Sequence, residues 1–391
     1  MRYALRSLAR SPGFSALVVL TLALGIGANT AVFSVLRGVL LRPLPHDDGE
    51  RLMYLRQSAE LQGLENALFS VPEIVDYREA ATTLTGFAEF SVMPFNMLGG
   101  ERPVQVEAGI ITGNYFEVMG LEPALGRAIT PDDDGPEADP VMMLTWEYWQ
   151  SQFGGDPGVL GRVLRMNGRA VTVVGVAEPA PPFPGDTDIL VNMVTSPHHL
   201  DATMVHGRSH RMTEVFARLA PGATVQQAEA EIDAIAARVH ADHRDAYDPA
   251  AGYAITVTPL RNALTADARQ TLWLLMATAA LVLLTACANV GNLVLARFLQ
   301  REREITMRWA LGAGRARLRR LLLSETALLA LAGAGLGLVF AYGGLDLLVG
   351  FARRYTARAT EIEIDGTVLL FTLVVATASA LAFAVAPSQR S

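Results

Sequence analysis

Four apolar runs interrupt a chain whose other positions mix polar and apolar residues. They are residues 14–36 (FSALVVLTLALGIGANTAVFSVL), 271–296 (TLWLLMATAALVLLTACANVGNLVLA), about 326–345 (TALLALAGAGLGLVFAYGGL) and 367–387 (TVLLFTLVVATASALAFAVAP), and none holds a charged side chain. A helix needs about 20 such residues to cross the hydrocarbon core of a bilayer, so each run predicts a span. A cleaved secretory signal is the alternative for the first run, behind Arg2, Arg6 and Arg10, but its uncharged stretch is long for that role.

Between the first and second runs the pattern shortens to strand-like alternation and amphipathic helix. Residues 72–81 predict a helix, and GFAEFSVM (86–93) and RPVQVEAGII (102–111) predict strands. GNYFEVMG (113–120) predicts a short helical turn, and VMMLTWEYWQSQFGG (141–155) a strand followed by a helix. GRVLRMNGRAVTVVGVAEP (161–179) predicts a hairpin turning at Asn167-Gly168. MTEVFARLAPG (212–222) and YAITVTPL (253–260) are further strands. Residues 224–240 predict a helix capped by Thr224 and Gln227, with an apolar face of Val225, Ala228, Ile232, Ile235 and Val239.

The expected fold class is therefore a membrane protein of four transmembrane α-helices, with a large α+β extracytoplasmic domain inserted between helices 1 and 2. The expected partition is a cytoplasmic amphipathic N-terminus (1–13), helix 1 (14–41), the external domain (42–265) and helix 2 (266–296). A cytoplasmic loop (297–320), helix 3 (321–346), an external loop (347–366), helix 4 (367–387) and a cytoplasmic tail (388–391) follow.

Charge sets the orientation. All 32 basic side chains are arginine, and the formal net charge is −7. That balance gives no support for nucleic acid as a partner. Without lysine these residues hold no P-loop of the GxxxxGK[ST] kind. Arg2, Arg6 and Arg10 mark the N-terminus as cytoplasmic, and Arg297, Arg301, Arg303, Arg308, Arg315, Arg317, Arg319 and Arg320 mark the second loop likewise. Arg353, Arg354 and Arg358 are balanced by Glu361, Glu363 and Asp365, so that loop falls outside and the C-terminus inside. Arginines beside the spans also favour contact with lipid headgroups.

Candidate chemistry is sparse. Gly25, Gly27, Gly333, Gly335 and Gly337 are spaced for close helix packing, and Asn29, Asn289 and Asn292 for interhelical hydrogen bonds. Cys287, the only cysteine, reads as a packing residue. PDDDGPEADP (131–140) lacks the glycine and glutamate spacing of a calcium loop and reads as solvated. His198, His199, His206 and His210 cluster in residues 197–210, but without a helical HxxxH frame and partner Glu they read as a polar loop. No nucleophile elbow, HExxH or useful carboxylate pair is present. The chain is expected to be no enzyme, with no cofactor and no metal.

Residues 301–325 (REREITMRWALGAGRARLRRLLLSE) read as helix, glycine turn, helix. Glu304 and Arg308 stand four apart in the favourable order, Ile305 and Trp309 form an apolar edge, and Gly312 and Gly314 allow the left-handed turn. This segment, GNYFEVMGLEPALGRAITPDDD, the hairpin sequence above and the opening LRSLARSPGFSALVVLTLALGIGANTAVFSVLRGVLLRPLP together resemble the MacB/FtsX-like permeases of ABC transport systems. They look most like one half of the duplicated permease type of acidobacteria. The resemblance covers the chain end to end.

The resemblance implies a permease subunit in the inner membrane that couples a separate ATP-binding subunit to motion of its periplasmic domain. Exported drugs, peptides or lipoproteins are the implied cargo; the alternative is FtsX-like signalling to a periplasmic or cell-wall partner. It implies an ATPase-docking surface of Arg303, Glu304, Ile305, Arg308, Trp309, Ala310, Leu311, Gly312 and Ala313. A homodimer or a second permease half is implied, and a periplasmic adaptor is a further partner it allows. The external domain would have two lobes, one from about 50–112 and 211–262, the other inserted at about 113–210. The duplicated type repeats its whole architecture and these residues hold one copy, so the expectation is either a fragment or half-length product of such a permease, or a dimer that supplies the second half.

Overall fold

The computed structural model describes residues 11–98, 103–135, 137–300, 315–353 and 356–385. The α-helices are α1 (Pro12–Leu36), α2 (Val71–Ala80), α3 (Tyr115–Met119), α4 (Trp146–Phe153), α5 (Ala202–His206), α6 (Val225–Asp242), α7 (Leu260–Gln300), α8 (Arg315–Ala352) and α9 (Gly366–Val385). The strands are β1 (Leu52–Ala59), β2 (Leu84–Leu98), β3 (Val104–Ile111), β4 (Pro123–Gly126), β5 (Val141–Leu144), β6 (Val163–Met166), β7 (Arg169–Ala177), β8 (Ile189–Asn192), β9 (Glu214–Leu219) and β10 (Tyr253–Pro259). The chain divides into two units, Pro43–Leu264 and the flanking remainder.

The inserted unit is built on one mixed sheet in the order β10-β1-β9-β2-β3-β8-β5-β7-β4, with β6 pairing both β2 and β7. Strand β2 organises it. Its first half pairs with β9, and from Phe90 onward it pairs with β3. A bulge between Thr85 and Ala88, with Gly86 at a φ of 62°, bends the strand before that exchange. The predicted hairpin forms with Met166 opposite Arg169, and Asn167 and Gly168 both take positive φ.

Two apolar cores flank β2. The first packs α2 and α6 on β1, β9, β10 and the start of β2, through Ile74, Ile232, Ile235, Val239, Val215 and Val257. Helix α6 begins where Thr224 accepts the Gln227 N–H while Gln227 returns to the Thr224 N–H, a reciprocal cap. The second core joins Phe95, Met97, Val106 and Ala108 to Val171, Val173 and Trp149. The end of β2 and all of β3 lie with the inserted segment because β3 is hydrogen-bonded to β8 in parallel.

The helical unit has the reverse polarity of a soluble bundle. Its interior is small and tightly packed, with Val18, Leu22, Ile26, Val290, Ala330, Ala334, Ala376 and Ala380 in contact. Its outward positions are large and apolar: Leu24, Leu274, Leu281, Leu284, Val339, Leu370 and Val374 are exposed. Lipid is the solvent that suits such a surface. Among the described residues, Pro12–Leu41, Leu260–Arg297 and Ser324–Ala352 are long and apolar enough to cross a membrane. The fourth expected span corresponds to α9, which is apolar but shorter over its described residues. Helix α8 continues to Ala352, past the expected end at residue 346, because DLLVGFA holds no proline to stop it.

Candidate functional site in the helical unit

Helix α1 is the hub of the helical unit, and its small and polar residues set the contacts. A Cβ at Gly27 would stand 2.7 Å from the Gly337 carbonyl oxygen on α8. One at Gly333 would stand 2.7 Å from Leu22 Cβ, and one at Gly25 would stand 3.1 Å from Leu283 Cδ1 on α7. The absence of side chains is thus what lets α1 and α8 touch backbone to backbone. Gly335, grouped with these by spacing, does not join them: a Cβ there would meet nothing within 4 Å. The helix turns it away from α1, by about 200° from Gly333 and from Gly337.

Polar groups fix the register of the same helix. Asn29 is 2% exposed, and its Nδ2 donates to the Gly25 carbonyl at 2.9 Å and across to Ala279 on α7 at 2.7 Å. Thr30 and Thr372 share a hydroxyl–hydroxyl bond of 2.9 Å between α1 and α9. One turn further on, Phe33 stacks on Phe371 with ring centroids 4.0 Å apart. Cys287 lies 3.7 Å from the Ser379 hydroxyl, bridging α7 and α9.

The end of α1 is clamped by the segment that leads into α9. Residues Arg37–Leu41 form a wider helical turn. Arg358, 0% exposed, donates to the Val39 carbonyl at 3.1 Å and the Arg42 carbonyl at 2.8 Å. The same guanidinium meets both Glu361 carboxylate oxygens, at 3.0 and 2.7 Å. Arg37 pairs with Asp365 at 2.7 Å, and Arg42 with Glu363 at 2.8 Å. The hydrogen bond from Arg37 holds the Asp365 carboxyl below the usual carboxylate range, and Asp365 also caps α9 at Val368 N–H. Gly38 leaves room for this crossing, since a Cβ there would stand 3.0 Å from the Glu361 carbonyl. In the sequence these charges speak only to orientation, and no local pattern marks the clamp because its halves lie more than 300 positions apart.

Elsewhere the candidates take structural partners. Asp133 pairs with Arg127 at 2.7 Å and Asp134 accepts the Gly113 N–H at 2.6 Å, so the acidic loop ties down its own neighbourhood. His198 and His210 approach each other at 3.0 Å. No group of three His, Cys, Asp or Glu side chains converges among the described residues. The expected docking surface from Arg303 to Ala313 lies outside the described residues.

Close-packed apolar helices and a two-core α+β domain define a membrane protein with a large inserted domain. The chain belongs to the MacB-like periplasmic core domain family, whose profile matches residues 15–235. The FtsX-like permease C-terminal profile matches residues 276–391. The chain is 28% identical over 267 residues to the pyoverdine export ATP-binding/permease protein PvdT of Pseudomonas aeruginosa, covering 66% of this chain and 38% of that protein. It is 24% identical over 296 residues to the macrolide export ATP-binding/permease protein MacB of Salmonella typhi, covering 75% and 43%. It thus spans about two fifths of the length of these curated relatives. The solved periplasmic region of MacB from Actinobacillus actinomycetemcomitans is similar at a TM-score of 0.42 and 15% identity, covering 61% of this chain and 98% of that one.

Proposed function

We propose that the chain is a non-catalytic permease subunit of an ABC-type export system in the inner membrane. The observation that carries this reading is the succession of a MacB-like core segment and an FtsX-like permease segment in one chain. ATP is hydrolysed by an ATP-binding partner that docks on residues 303–313 between α7 and α8. The spans are residues 14–41, 266–296, 321–346 and 367–387, with both termini cytoplasmic and residues 42–265 in the periplasm. A second copy or a second permease half completes the assembly, lipid surrounds it, and a periplasmic adaptor meets the external domain.

The packing supports a mechanical role. Force entering between α7 and α8 reaches α1 through the Gly27–Gly337 contact and the Asn29–Ala279 hydrogen bond. A stiff hub transmits displacement, because tightly packed interfaces shift as bodies and do not deform gradually. The test is co-purification of the intact chain from native membranes, followed by export assays. The relatives named above are named for pyoverdine and macrolide export, so both compounds are assayed first. Recovery with an ATP-binding subunit and export lost on deletion are expected. A chain that never recovers such a subunit, or a deletion that leaves export of every tested compound unchanged, overturns the reading.

A further inference from the structure

The β8–β9 connection of the inserted unit brings two donor atoms, from His210 and Met212, beside a third on His198. His198 lies in a short helical turn, Pro197–Leu200, and His210 and Met212 lie just before β9. His198 Nε2 is 3.0 Å from His210 Nε2 and 3.2 Å from Met212 Sδ. All three side chains are half-buried. One Nε2–H on His198 can be shared between an imidazole nitrogen and a thioether, but sulfur is a weak acceptor. With that proton on Nδ1 instead, the His198 Nε2 lone pair faces a nitrogen and a sulfur, an arrangement that a bound cation stabilises.

We propose that His198, His210 and Met212 form a binding site for a soft monovalent metal ion, Cu(I) or Ag(I). The thioether is a soft donor and imidazole a borderline one that also suits copper, whereas hard or borderline divalent ions favour carboxylate, thiolate or further imidazole. The acids near the site by sequence have other partners: Asp201 accepts from the Thr203 N–H at 2.8 Å and the Thr203 hydroxyl at 2.6 Å, and Glu214 from the Asn66 amide at 3.1 Å and the Tyr54 hydroxyl. No third His, Cys, Asp or Glu joins the group among the described residues. Bonds of about 2 Å place trigonal donors about 3.5 Å apart, so His198 Nε2 needs to open from its present 3.0 Å to His210 and 3.2 Å to Met212 by only a few tenths of an ångström. The surroundings hold the site. Ser196, one residue before the turn, hydrogen-bonds with His199 Nδ1 at 2.9 Å and touches Met93 Sδ at 3.8 Å. The His199 ring stands edge-on to His198 with centroids 5.8 Å apart. This site is independent of the export reading.

The test is titration of the full chain in detergent micelles with Ag(I), which undergoes no redox change. The wild-type chain is expected to retain one more Ag(I) after desalting than the Met212→Leu variant. That variant keeps the imidazole pair and loses only the soft donor; its affinity is expected to fall at least about tenfold while Zn(II) binding is unchanged. On the wild-type chain alone, Ag(I) is expected to protect His198 and His210 from acylation by diethyl pyrocarbonate. The second measurement requires no variant to fold. Equal Ag(I) retention by wild type and Met212→Leu, or imidazole acylation unaffected by Ag(I), overturns the proposal.

Discussion

Gly27 and Gly337 face each other so closely that a Cβ on either would stand within 3 Å of a backbone carbonyl oxygen: Gly337 O for the first, Ala23 O for the second. Neither neighbour is a flexible side chain that can swing aside, so any larger residue forces α1 and α8 apart. Gly337→Val is expected to lower the stability of the full chain in detergent by about 1–3 kcal/mol, the usual range for overpacking. Gly335→Val is the control, because that position opens onto empty space. Thermal unfolding followed by circular dichroism separates them; equal losses at both positions contradict the backbone-contact account.

The Arg358 clamp predicts a larger effect. A guanidinium with no exposure serves two carbonyls and one carboxylate at once, and no other side chain has that fork. Arg358→Met keeps much of the volume but strands the Val39 and Arg42 carbonyls and leaves Glu361 with the more distant Arg42, at 3.9 Å. A loss of about 2–4 kcal/mol is expected. Arg358→Lys retains charge without bidentate geometry and should fall between the two. Unfolding in detergent ranks the three proteins; indistinguishable midpoints for wild type and Arg358→Met rule the clamp out as a stabilising contact.

What the sequence reveals of these features follows from how local each one is. The α6 helix is legible because its cap, Thr224 with Gln227, and its buried positions, Ala228, Ile232, Ile235 and Val239, all sit within one periodic window. The β6–β7 turn is legible for the same reason, in two residues, Asn167 and Gly168. Glycine spacing marks α8 as a packing helix but cannot say which glycine faces α1, so Gly335 is grouped with Gly333 and Gly337 although it points elsewhere. Arg358 is read only as a loop charge because its acceptors are carbonyls, which every residue carries. The approach of His198 to His210 is hidden for a different reason. Twelve residues separate them, and the intervening α5 and its loop fold them back together.

Under the export reading, the segment between α7 and α8 holds the transmission. Trp309→Asp places a charge on the apolar edge expected to sit in the partner's groove, and Gly312→Pro removes the freedom to turn. Each is expected to leave membrane insertion intact and the partner's ATP hydrolysis running while export falls to background. Export measured alongside hydrolysis in reconstituted vesicles checks this, and unchanged coupling in both variants removes residues 303–313 from the docking surface.

Glu231 predicts acid sensitivity at the junction of α6 and β2. Burial raises this carboxyl, but hydrogen bonds from the Thr82 and Thr83 hydroxyls and N–H groups outweigh it and bring it down to about 2. The native state therefore holds the anion more firmly than the unfolded chain does. That contribution is complete above about pH 4.5 and is lost as pH falls toward 2. The side chain is partly exposed, so water screens it and the effect is expected to be modest. Wild type and Glu231→Gln should differ in melting temperature at pH 7 and converge at pH 2; a gap that persists in acid contradicts the assignment.

His199 predicts a second, milder pH dependence at the edge of the proposed metal site. It is 5% exposed, and its Nε2 has no hydrogen-bond partner among the described residues. Burial, reinforced by the neighbouring His198 and His210, lowers it from 6.5 to about 4. Between those two values the unfolded chain takes up a proton that the native state refuses. Stability from this residue is thus complete above about pH 6.5 and declines as pH falls toward 4, by at most about 3 kcal/mol. Replacing His199 with Phe removes the proton uptake and keeps a ring in the space. Denaturant midpoints of wild type and His199→Phe, compared from pH 7.5 to 4.5, are expected to show the wild type falling more steeply. Parallel curves would mean that the native imidazole protonates as readily as the unfolded one, and that the pocket holds water or an acceptor beside Nε2.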